Sequence, residues 1–259
     1  MTGGGSAANL ALCEGFGKCR EEVRLGRDTM TDDDGLICAY LLDGRGGARE
    51  MGWPEVGAWK AEDGILWLHL DRTGTVSHTW LKEKSGLDLT TVEALLAEET
   101  RPRSLATRDG LLAILRGVNL NPGADPEDMV ALRIHVEDHR VITVRARKVM
   151  AVNDLREQLA AGRGPKGPGD FLVRVAGRLV DRMGSVVDDI SDVVDAVEDD
   201  LLTNESREIR YKLRTLRQQA IRLRRHLAPQ RDALARVQFE EFTWHCHVDS
   251  WLATTLAIH

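Results

Sequence analysis

The chain has 259 residues and a net charge of −6, enough for one sizeable α/β domain plus an appended helical part. Its acidic balance gives nucleic-acid binding no support, because such proteins usually carry a basic footprint. Cys13, Cys19, Cys38 and Cys246 show no CxxC spacing and form no disulfide framework, so a reducing cytoplasm fits them.

Residues 1–34 open with Gly3, Gly4, Gly5 and Ser6 and close with Asp32, Asp33 and Asp34. With so little periodicity they are expected to be a disordered N-terminal extension, and Met30, just ahead of the patterned sequence, is a candidate start. No basic stretch followed by an apolar core marks a signal peptide. Strand signals then dominate to residue 147. Residues 36–42 are an apolar run closed by the turn pair Asp43-Gly44. Residues 65–70 alternate, with Ile65, Trp67 and His69 on one face. Residues 76–84 and 88–97 have helical spacing, the second with Asp88 and Thr90 near its N-cap. Glu99, Arg101 and Arg103 around Pro102 read as a salt-bridged turn. Residues 111–118, 130–136 and 141–145 are further strands, and the short polar link before Val141 makes the last two an antiparallel hairpin. Asn119, Asn121, Pro122 and Gly123 carry turn chemistry, and Asp125 followed by Pro126 reads as a capped helix start. Residues 149–161 form a helix closed by Gly162.

Residues 35–162 are therefore expected to form one α/β layer domain, an α+β mixed sheet with flanking helices. Residues 163–169, with Pro165 and Pro168, are a linker. In residues 170–244 the pattern changes. Asp170 caps a long helix in which Leu172, Val175, Leu179, Met183, Val186, Ile190, Val193 and Val197 recur at three- and four-residue steps. After a break near Asn204, a second pattern runs through Ile209, Leu213, Leu216, Ala220, Leu223 and Leu227. Two such helices on a short link form a long antiparallel hairpin. The first is acidic and the second basic. Carboxylates crowd the C-terminal end of the first, where the helix dipole disfavours them. Solvation answers for that cluster on one reading, a cation or a basic neighbour on the other.

Asp188, Asp192, Asp195 and Asp199 are the candidate cation ligands, since steps of three and four put Asp188, Asp192 and Asp195 on one face and carboxylates suit weak, hydrated binding. His245 and His247 share a face only if their segment is extended; an unstructured tail is the favoured account of them. His69, His135, His139 and His226 lack the surrounding ligands that zinc requires. No GxSxG, P-loop or strand-borne GxGxxG is present, and Gly44, Gly46 and Gly47 are a lone glycine turn. The chain is thus expected not to be an enzyme and to need no cofactor.

The segments LLDGRGGAR (41–49), ILWLHLD (65–71), LLAEETRPR (95–103) and LRGVNLNPGADPEDMVALRI (115–134) resemble the cytoplasmic N-terminal domain of the zinc-transporting, ZntB-like branch of the CorA superfamily of divalent-cation transporters. RLRRHLAPQRDAL (222–234) is similar to the helix that ends that family's cytoplasmic hairpin. The resemblance spans residues 35–244 and implies a CorA-type soluble domain in a homo-pentamer at the cytoplasmic face of the inner membrane, with Zn2+ as a transported or weakly bound ion. It implies a stalk helix and two membrane helices beyond the hairpin, with a Gly-Met-Asn signature at the pore mouth. Residues 245–259 look atypical for the family, and no run reaches the roughly 20 apolar residues that span a bilayer. Membrane contact is therefore expected only through a missing C-terminal segment. Glu99, Arg101, Arg103, Arg116, Asn119, Asn121 and Asp125 are candidates for scaffold or subunit-interface roles. The rival reading is a free-standing binding or assembly module descended from such a transporter, with no transport activity.

Overall fold

The computed structural model describes residues 34–203 and 207–237, with side chains described outside 201–203. Seven strands form one sheet: β1 (Leu36–Leu42), β2 (Ala48–Met51), β3 (Ile65–Asp71), β4 (Arg103–Thr107), β5 (Gly110–Gly117), β6 (Val130–Val136) and β7 (Arg140–Arg145). Their order is β2-β1-β3-β7-β6-β5-β4. Only β3 and β7 run parallel; β6 and β7 form the antiparallel hairpin expected from the sequence. The short strands β2 and β4, at the two edges, escaped the sequence reading, as did α1 (Trp53–Ala58). Edge strands bury less and leave a weaker apolar signature.

Helices cover both faces. On one lie α1, α2 (Thr75–Glu83) and α3 (Leu89–Leu96), which pack Val56, Trp80, Leu81, Val92 and Leu95 against Leu66, Leu68 and Leu70 of β3. Asp88 caps α3 as expected, its carboxylate accepting the backbone N–H of Thr91 at 2.9 Å. On the other face lie α4 (Met150–Ala160), α5 (Pro168–Thr203) and α6 (Arg207–Val237). There Trp67 is fully buried, with its ring centroid 4.8 Å from Phe171 of α5 and 5.5 Å from Tyr40 of β1. β3 thus keeps its predicted alternation but is buried on both sides, because it is a central strand.

α5 starts at Pro168, three residues earlier than a cap at Asp170 predicts. Proline is well placed at a first helical position, where no N–H is needed. Asp170 reaches back from the first turn to accept the N–H of Lys166 at 2.9 Å and pairs with Arg174 at 2.7 Å. The preceding segment is tied down: Gly164 N–H donates to the carbonyl of Gly46 at 2.7 Å. Gly46 has φ 111°, and a Cβ there would lie 2.8 Å from the Gly162 carbonyl oxygen.

Phe171, Leu172, Val175, Leu179 and Met183 of α5 join the sheet in one core, which Leu223, Leu234 and Val237 of α6 complete. Farther along, Val197, Ile209 and Leu216 form a separate small cluster between the two helices. This pairing makes the hairpin antiparallel. On α6 the buried positions are Ile209, Leu216, Leu223, Gln230, Ala233, Leu234 and Val237. Five of them keep a seven-residue step from Ile209 to Val237, while Leu213 and Ala220, expected inside, are exposed. The narrow stripe suits a seam against α5, and Ala233 and Leu234 widen it where α6 meets the sheet.

Candidate functional site

The acidic face of α5 is the first candidate. Asp188, Asp192, Asp195 and Asp199 are exposed on one continuous helix. No ion pair among the described residues reaches any of the four. The α6 cations that form ion pairs find other partners: Lys212 pairs with Glu208 on its own helix at 4.0 Å. Arg222 faces Glu127 at 3.9 Å and Asp128 at 3.4 Å, in the turn before β6. Among the described residues, no group of three or more His, Cys, Asp or Glu side chains is placed to hold a metal ion. The stripe is a row of solvated charges rather than a chelate. His245 and His247 lie outside the described residues.

The second region is the seam where α6 crosses the β4–β5–β6 side of the sheet. Arg116 of β5 is half-buried; its Nη1 donates to the Met129 carbonyl at 2.7 Å and its Nη2 to the Thr100 carbonyl at 2.6 Å. It thereby pins the chain on both sides of the sheet edge. Asn119 is buried and its side-chain oxygen accepts from the Asn121 side chain at 2.7 Å, whose amide also reaches the Lys148 carbonyl at 3.1 Å. Two expectations fail here. Asp125 starts no helix but a turn, with Asp128 N–H donating to its carbonyl at 3.0 Å. β6 begins at Val130, leaving no room for a helix. Glu99, Arg101 and Arg103 make no salt-bridged turn among the described residues: all three are exposed, and Arg103 opens β4.

Sequence reasoning missed Arg133. It stands in the middle of β6 and is only 2 % exposed. Its Nη2 donates to the carbonyls of Ala97 at 2.6 Å and Glu98 at 3.4 Å. Burial, then the charges of Arg72 and Arg116, lower its pKa to about 10, so it stays protonated at neutral pH. The signal was a single charge inside an otherwise apolar strand run, VALRIHV. A cavity of about 490 Å3 opens beside it, bounded by Arg116 and Arg133 from the sheet and by Arg222, Arg225 and His226 from α6. Burial, then Arg116, Arg225 and Arg101, hold His226 below the ordinary histidine pKa.

A family model described as CorA-like Mg2+ transporter protein matches residues 62–246. The divalent cation transporter CmaX of Pseudomonas aeruginosa is 41 % identical over 223 residues, covering 85 % of this chain and 67 % of that protein. The zinc transport protein ZntB of Pectobacterium carotovorum subsp. carotovorum is 37 % identical over 210 residues, covering 81 % of this chain and 63 % of that protein. The chain therefore spans about two thirds of the length of these relatives. The structure of full-length CmaX superposes with a TM-score of 0.80 at 40 % identity, over 88 % of this chain and 72 % of that one. The cytoplasmic domain of ZntB from Vibrio parahaemolyticus gives 0.74 at 22 % identity, over 86 % of this chain and 88 % of that one, a likeness of fold.

Proposed function

Because the chain belongs to the CorA-like Mg2+ transporter protein family, a family of transporters and not of enzymes, we propose that it is the cytoplasmic part of a divalent-cation transport protein. In this reading zinc is the ion and the protein works as a homo-oligomer, a pentamer, at the cytoplasmic face of the inner membrane. The observation that carries it is the row Asp188, Asp192, Asp195 and Asp199, exposed and without counter-charge. Such a row raises the local concentration of cations without holding any one of them tightly. The names of the relatives support the substrate class. Tyr211, Ile221 and Val193 are exposed on the hairpin and offer apolar surface for contacts between copies. Movement of the hairpin against such contacts is a route to gating. No described helix is long and apolar enough to cross a membrane, so attachment is assigned elsewhere.

Two measurements test this. Calorimetric titration of the chain with zinc and with magnesium should show weak binding that is lost when the four aspartates become asparagines; equal heats for both proteins would remove the stripe from the mechanism. Uptake of radiolabelled zinc into cells expressing the whole gene should exceed the vector control. No excess uptake, with the protein present and assembled, would favour the assembly module without transport activity.

A further inference from the structure

The cavity between the sheet and α6 has a charge balance that the protein leaves incomplete. Arg133 and Arg116 are on neighbouring strands, and each lowers its own charge density only through backbone carbonyls. Among the described residues, neither has a carboxylate within ion-pair distance. Nε and Nη1 of Arg133 and Nε of Arg116 have no hydrogen-bond partner. A buried charge is ordinarily paired, because its desolvation costs several kcal/mol. The carboxylates on the cavity wall do not fill this role: Glu127 and Asp128 face Arg222 instead, and Glu98 is exposed and in no ion pair. Arg225 adds a further positive charge across the gap.

We propose that this cavity binds a soluble phosphate-class oxyanion, which supplies the counter-charge missing from Arg133 and Arg116. Arginine forks match the oxygens of phosphoryl groups better than they match a spherical halide. A volume of about 490 Å3 falls within the usual range for small-molecule sites. Donors come from both the sheet and α6, so an occupied site ties the hairpin to the α/β layer. The inference stands apart from the cation stripe on α5, and either can fail without the other.

The test is thermal unfolding and calorimetry of the chain in inorganic phosphate and in pyrophosphate, against sodium chloride at matched ionic strength. Both oxyanions should raise the melting temperature beyond chloride, pyrophosphate the more. Arg133→Met should weaken binding by about thirtyfold or more. If Arg133→Met does not fold, Arg225→Ala on the exposed side of α6 serves in its place, with a smaller loss of affinity. Equal melting temperatures in phosphate, pyrophosphate and chloride overturn the proposal. So does a phosphate effect that survives in both variants.

Discussion

The side-chain oxygen of Gln230, in the last third of α6, accepts the backbone N–H of Arg116 on β5 at 2.6 Å, across 114 residues of sequence. The pairing of β4 with β5 ends at Arg103 and Ile114, two residues short of Arg116. Gln230 therefore takes over where the strand ladder stops. Its amide nitrogen also lies 3.5 Å from the sulfur of Met183 on α5, so one side chain ties the sheet to both hairpin helices. Gln230→Leu removes the acceptor and leaves a buried N–H unsatisfied, at an expected cost of about 1–3 kcal/mol. Urea unfolding of the variant beside Ile221→Ala, at an exposed position, checks it. Equal midpoints for the two would show that the contact contributes nothing.

Phe171 couples the hairpin to the sheet through Trp67. Phe171→Ala should cost about 3–5 kcal/mol, the usual range for a buried aromatic cut to alanine. Tryptophan fluorescence during denaturation reports on it directly, because Trp67 is fully buried. A loss below 1 kcal/mol, on the order of a surface change, would mean that the first turns of α5 are not anchored there.

Stability should fall in mild acid. His69 is fully buried, with Nδ1 2.8 Å from Thr143 Oγ1. Burial, then Arg145 and Arg156, push its pKa well below the ordinary histidine value. Burial also lowers His135 and His226. The unfolded chain thus binds more protons than the folded one below about pH 6.5. The stabilisation is complete above that pH and is lost as pH falls toward the folded pKa values, by at most about 1.4 kcal/mol per pH unit for each histidine. Urea midpoints between about pH 7.5 and 5, a window above the ordinary carboxylate range, should decline, and less steeply in His69→Asn. A flat profile in the parent chain contradicts this.

Asp199 lies in the last turns of α5, where the helix dipole disfavours a negative charge. Asp199→Asn should raise the melting temperature at low salt, by an amount worth less than about 1 kcal/mol. The gain should vanish in high salt through screening. A gain that persists in high salt would point to a cause other than the dipole.

Periodicity made the long elements legible. The strands β1, β3, β5, β6 and β7, the helices α2 to α6 and the hairpin's antiparallel sense all follow from apolar spacing and from turn residues such as Gly162, because each long element must bury a continuous stripe. Short elements left no such trace: four residues in β2 and five in β4 bury too little to pattern a sequence. The acidic row on α5 was equally readable, since residues three and four apart share a helix face whatever surrounds them.

The sequence by itself determined the local elements, the sign of each hairpin helix and the likeness to a family of cation transporters. Only the tertiary structure decided which charges are answered. Arg222 finds Glu127 and Asp128 across 94 or more residues, Asp188, Asp192, Asp195 and Asp199 stay exposed and outside every ion pair among the described residues, and Arg133 and Arg116 find carbonyls in place of a carboxylate. Spacing within one helix encodes pairs such as Asp170–Arg174, but contacts between segments far apart in the chain act over a few ångströms, and no spacing within one segment can encode those.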